Sequence, residues 1–187
     1  QALPIYILCS LRKKDIRSAE SGLKYFLLGA LSSGFLLFGM SLIYGFSGSL
    51  YFNEIMNNTT QANLGLNFGL IFLISGIAFK ISAAPFHMWS PDVYQGSPTP
   101  VTLLIASAPK ITAISILIIL TYNVFKNVNK NWIDLITVLC LASMIVGSIG
   151  AVVQSNIKRL LAYSGISHIG FMLVGLVSFS SSGLEGV

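Results

Sequence analysis

Apolar runs of about twenty residues, the length a helix needs to cross a bilayer, alternate along this chain with short polar stretches. Residues 1–9 are apolar but too short to span, and are expected to be the end of a helix that begins elsewhere. The stretch 10–24 is polar, with Arg12, Lys13, Lys14, Arg17 and Lys24 against Asp15 and Glu20. Ser18, Glu20 and Ser21 within it predict a helix start. Spans are then expected at 25–46 and at 64–84, separated by a loop at 47–63 whose one charge is Glu54. A half-helix at 86–95 leads to a turn at 96–98, and further spans follow at 99–125, 133–153 and 160–179. Trp132 is expected at a membrane interface. The pattern predicts an all-α polytopic membrane protein, one transmembrane domain over 1–187, with about five full spans plus the end of another.

One stretch breaks the pattern. Leu64 to Phe79 carries no charge, yet Lys80 follows where the chain should be deep in lipid. Pro85, Pro91, Pro98 and Pro100 then fall within sixteen residues. Pro85 lacks a backbone donor and displaces the carbonyl of Ile81, so the helix is expected to end there and resume as a half-helix. Gly29, Ser32, Ser33, Gly34 and Gly39 in the first span predict close helix packing.

Composition agrees with a membrane protein. The 187 residues are 54% hydrophobic and 9% charged, against roughly 25% charged in soluble domains. The net charge of +5 sits mostly in short loops, so it reads as topology and not as a nucleic-acid footprint. Placing 10–24 inside also places 96–98 and Lys158-Arg159 inside, giving seven basic residues there against Lys126 and Lys130 outside. Cys9 and Cys140 are lone cysteines in apolar surroundings and suggest neither a metal site nor a disulfide. No Gly-rich nucleotide loop, metal cluster or nucleophile constellation is recognisable.

The candidate chemistry is proton transfer. A charge at mid-membrane costs from ~3 to over 10 kcal/mol and usually faces a cavity or partner. Burial disfavours the charged form of an amine and a carboxylate favours it, so such a group can be tuned to load and release a proton. Lys80 is the first candidate; its alternative is snorkelling to an interface. Lys110 lies twelve residues into the next helix beside Pro109, and is expected at a similar depth on a neighbouring antiparallel element. His87 could pass protons or bond the broken backbone. His168, among Tyr163, Ser164, Ser167 and Gly170, could extend a proton path or bond helix to helix. Asp92 is expected to fix the turn or sit at a channel mouth. The six acidic residues lie in or near loops, so a counter-charge for the lysines is expected from another polypeptide or a missing segment.

The stretch Phe79-Lys80-Ile81-Ser82-Ala83-Ala84-Pro85-Phe86-His87-Met88-Trp89-Ser90-Pro91-Asp92-Val93-Tyr94-Gln95-Gly96-Ser97-Pro98-Thr99-Pro100-Val101 resembles the antiporter-like membrane subunits of respiratory complex I, the NADH:ubiquinone oxidoreductase, and among them subunit 2 (subunit N in bacteria). Residues 22–34, Asn156 to Ser164 and Ile166 to Gly170 agree. The resemblance implies part of an inverted-repeat fold, running from the end of its fifth helix through its tenth. It maps the broken-helix lysine onto Lys80 and the next-helix lysine onto Lys110. The family's glutamate partner of the first lysine would lie just before Gln1. The resemblance implies a proton-translocating subunit, enzymatic as part of the whole complex. NADH, FMN, iron-sulfur clusters and quinone are expected on partner subunits, and no cofactor or metal on this chain. Expected partners are other membrane-arm subunits, including a chain with the missing N-terminal helices, and lipid; nucleic acid is not expected. The alternatives are a sodium/proton antiporter subunit and a structural subunit that does not pump. The Ile, Phe and Asn content favours the mitochondrial inner membrane, with the bacterial plasma membrane as the alternative.

Overall fold

The computed structural model describes residues 2–12, 15–58 and 64–187. Lys13 and Lys14 of the basic loop, and residues 59–63 of the loop at 47–63, lie outside the described residues. Every regular element among those described is helical, and five helices are long and apolar enough to span a bilayer.

Helix α1 (Ala2–Cys9) packs on α2 (Ile16–Ser47). α2 starts well before the expected span 25–46, because Asp15 caps it by accepting from the Arg17 amide at 3.0 Å. The serine expected to start a helix serves another one: the Ser18 hydroxyl donates to the Cys9 carbonyl at 2.8 Å, satisfying the end of α1. α2 closes on Gly48 at φ 73°, whose amide bonds Tyr44. This left-handed position suits glycine.

A short α3 (Phe52–Asn58) follows, then α4 (Leu64–Ile81), α5 (Trp89–Gly96) and α6 (Thr99–Ile119). α6 continues as a π-helical turn over Leu120–Val124 and a 3-10 turn over Lys126–Val128. Trp132 stands at the start of the candidate span Trp132–Val152. It is buried, and its indole donates at 3.0 Å to the Phe125 carbonyl at the end of the π turn. A buried indole needs such an acceptor. α7 (Asn129–Val152) and α8 (Ile157–Val177) form a hairpin, α8 being capped by Asn156, and α9 (Ser181–Glu185) ends the chain.

Two helix pairs make the frame, α2 with α4 and α7 with α8. Each closes on a glycine. A Cβ on Gly39 would lie 2.6 Å from the Leu73 amide, and one on Gly147 would lie 2.5 Å from the Ser167 amide. No side chain fits there, so the backbones touch, as lipid-embedded helices favour. The short α5 lies between α2 and α8, and α6 packs on α4.

Candidate functional site

The break is built from the end of α4. Ser82 takes φ 65°, the Ala83 amide reaches the Ala78 carbonyl at 2.9 Å, and the Ser82 amide reaches Phe79 at 3.1 Å. This pair of bonds is a Schellman cap with Ser82 in the left-handed position. The helix thus ends at Ile81, earlier than the expected 84, and α5 starts at Trp89, later than the expected 86. The cap places Lys80 in the last turn, where its charge opposes the negative end of the helix dipole. Two distant side chains hold the break. The Ser143 hydroxyl on α7 accepts the Ala84 amide at 2.8 Å. The Trp89 indole donates to the Phe79 carbonyl at 3.0 Å and stacks on Tyr25, with ring centres 4.7 Å apart.

The two lysines face different cavities on either side of α6. Lys80 is half-buried in a largely apolar groove of about 570 Å³ that runs along α2, α4 and α6. Pro109 lines the same groove, which brings Lys80 level with the residue next to Lys110. Lys110 is 7% exposed and points to the other side, into a cleft of about 340 Å³ between α6 and α8. Its ammonium sits 5.7 Å from the Tyr94 ring centre, a cation–π contact. Neither ammonium has an ion pair among the described residues.

His87 is half-buried, with its Nδ1 enclosed and its ring beside the Pro85 backbone, and its ring centre lies 6.3 Å from that of Tyr163. His168 is exposed. It shares the α8 face of Lys158, Leu161 and Gly165, which line the Lys110 cleft, because these positions recur at helical spacing. The residues grouped around it in sequence do not form one cluster. Ser167 packs on Gly147, Tyr163 on Gly150 and Gly170 on Met144, all toward α7.

Sequence reasoning missed two features. Asp92 is an ionic hub: it accepts from Lys24 of α2 at 2.8 Å and from Arg159 of α8 at 2.9 Å, while Arg159 also donates to Gln95 at 3.1 Å. The hub fastens α5, from its first turn, to both frame pairs. Secondly, five buried polar side-chain atoms gather here: Ser82 Oγ, His87 Nδ1, Ser90 Oγ, Tyr94 Oη and Ser97 Oγ, with Tyr94 facing Ser90, Ser97 facing Cys9 and His87 facing the Pro85 backbone. All lie between the end of α4 and the start of α6. The hint in sequence was a polar residue at every turn of this segment.

The model of the family described as NADH:quinone oxidoreductase/Mrp antiporter, transmembrane, matches residues 1–187. The chain belongs to this family. It resembles longer proteins. It is 52% identical to NADH-quinone oxidoreductase subunit N 1 of Rhizobium meliloti (strain 1021), over 100% of this chain and 39% of that protein. Subunit N of Pelagibacter ubique is 51% identical over 99% of this chain, again 39% of the relative. The chain therefore spans about two-fifths of the length of these relatives. A chain in the structure of respiratory complex I from Thermus thermophilus is 38% identical, with a TM-score of 0.81 over 96% of this chain and 38% of that one. A chain of the Mrp complex from Dietzia sp. is 23% identical with a TM-score of 0.87, over 97% of this chain and 34% of that one, a likeness of fold. The antiporter-like helical fold inferred from the sequence is thus the fold of the family.

Proposed function

We propose that this chain is a stretch of a proton-translocating membrane-arm subunit of an NADH:quinone oxidoreductase, with Lys80 and Lys110 as its proton-carrying groups. The observation that carries the reading is the pair of unpaired ammoniums at one level on either side of α6, beside a break lined with buried polar atoms. Buried polar groups are nearly always hydrogen-bonded, to water where protein offers nothing. Such a string of sites supports proton movement from station to station. His87 stands within the break as a third titratable group. His168, on the exposed continuation of the cleft face, would pass protons onward to polypeptide beyond this chain.

The subunit N relatives support quinone-reductase membership over a sodium/proton antiporter. Redox chemistry and its cofactors would reside on partner subunits, coupled to this one through the membrane. The groove at Lys80 includes Ile5 of α1. An upstream continuation of α1 could fill it and bring an acidic partner to Lys80. The relatives are bacterial, which favours a bacterial plasma membrane over the mitochondrial inner membrane suggested by composition.

The test is Lys80→Met in the full-length subunit within the assembled enzyme. Protons moved per NADH oxidised are expected to fall sharply. Unchanged pumping and oxidation would reduce Lys80 to scaffold, and sodium-dependent transport without NADH oxidation would favour the antiporter.

A further inference from the structure

We infer that the face of the Tyr94 ring is the group that holds the Lys110 ammonium, in the place a carboxylate takes in an ordinary buried ion pair. The inference rests on the proposed role of Lys110 and adds the contact that steadies its charge. Lys110 is 7% exposed, and no acidic side chain lines its cleft among the described residues. The other cation there, Lys158, donates to the Ser97 carbonyl at 2.8 Å. An ammonium enclosed without an acid needs an electron-rich neighbour. The Tyr94 ring centre lies 5.7 Å from its Nζ, within cation–π range. Tyr94 is itself 3% exposed, and such contacts are strongest where water is kept away.

Three features aim the ring. Tyr94 belongs to α5, which the Asp92–Arg159 pair ties to α8 at 2.9 Å. Its carbonyl accepts from the Thr102 hydroxyl of α6 at 3.3 Å, a hydroxyl shared with the Pro98 carbonyl at 3.1 Å. Thr102 lines the same cleft as Lys110. The Tyr94 hydroxyl faces Ser90, one turn back in α5 and fully buried. With the hydroxyl turned to Ser90, the ring face is what meets the lysine. Gly165 of α8 borders the same ammonium, where an added Cβ would stand 3.4 Å from Nζ.

A ring face attracts a cation but accepts no proton. It offsets part of the cost of burying the ammonium without binding the proton that Lys110 passes on. At Lys80 the corresponding ring is Phe79, 6.0 Å away and next to it in α4. At Lys110 a separate helix delivers the ring.

The experiment uses the full-length subunit in the assembled, membrane-embedded enzyme, and reads protons moved per NADH oxidised. Tyr94→Phe keeps the ring and is expected to pump as the parent does. Tyr94→Leu removes the ring and is expected to slow pumping about ten-fold, the order a desolvated cation–π contact supplies. Increasingly fluorinated phenylalanines at position 94 keep the shape while draining negative charge from the ring face. Pumping is expected to fall step by step along that series, which decides the matter even if Tyr94→Leu fails to assemble. A flat fluorination series would overturn the inference, because packing alone would then explain the residue. So would normal pumping by Tyr94→Leu, or a loss in Tyr94→Phe as large as in Tyr94→Leu, which would assign the role to the hydroxyl. Loss of pumping in Lys110→Met would leave the proposed function standing whatever the ring series shows. Normal pumping by Lys110→Met would overturn the functional reading, and the ring's role with it.

Discussion

Ser82 decides where α4 stops. Its φ of 65° lies in the left-handed region, which costs a side-chain-bearing residue roughly 1–2 kcal/mol. Glycine avoids that cost, and a β-branched residue fits there worst. Ser82→Gly is therefore expected to keep the break and raise stability by at most about 1 kcal/mol. Ser82→Val should lower it by about 1–2 kcal/mol, and Ser82→Ala, which keeps a Cβ but loses the hydroxyl, separates the two causes. Thermal midpoints of the detergent-solubilised protein check all three. The same residue shows what a sequence can display. Lys80 and Lys110 were legible as charges inside apolar runs, and Pro85 as a stop. A serine in the left-handed region leaves no mark in the sequence, so the helix end was expected three residues late. Trp132 shows the same limit: an aromatic at a span end was legible, but its indole's bond to the carbonyl at the π turn was not.

At the scale of elements, α5 is too short to be stable alone. It is held by Trp89 at its start and by the Asp92 hub one turn on. The partners of Asp92 lie 68 and 67 residues away in sequence, so the hub was out of reach of local pattern. What could be read was an acid in a turn, and hence the expectation that it fixes that turn. Asp92 and Arg159 are about one-third exposed and Lys24 about two-fifths, so solvent screens them. Asp92→Ala is expected to cost about 1 kcal/mol at low ionic strength. Salt weakens such pairs, so the gap in thermal midpoint between parent and variant should narrow as salt is added. A gap independent of salt would mean that packing of α5, not its charges, is what the substitution disturbs.

For the whole molecule, the charges sort by depth. Asp92 joins Lys24 and Arg159 at one end, and Glu54 and Asp134 lie in or beside the loops of the other. The middle level holds Lys80 and Lys110, neither with an acidic partner among the described residues. An uncompensated buried charge is destabilising by several kcal/mol, and a neutral replacement of similar shape relieves it. One substitution should therefore act with opposite signs at two levels of assembly. In this chain alone, reconstituted in detergent or lipid, Lys110→Met is expected to raise the thermal midpoint, because methionine fills the same space without a charge. Lys80→Met should raise it less, since Lys80 is only half-buried and has the α4 dipole to offset its charge. In the assembled enzyme the order of benefit reverses for Lys80. If polypeptide beyond this chain supplies its carboxylate, the methionine strands that acid in an apolar groove, and the assembly loses stability as well as pumping. Comparing the two variants, alone and assembled, by thermal midpoint and by protons moved per NADH separates these terms. A Lys80→Met variant stabilised in both settings would show that the groove receives no acidic partner.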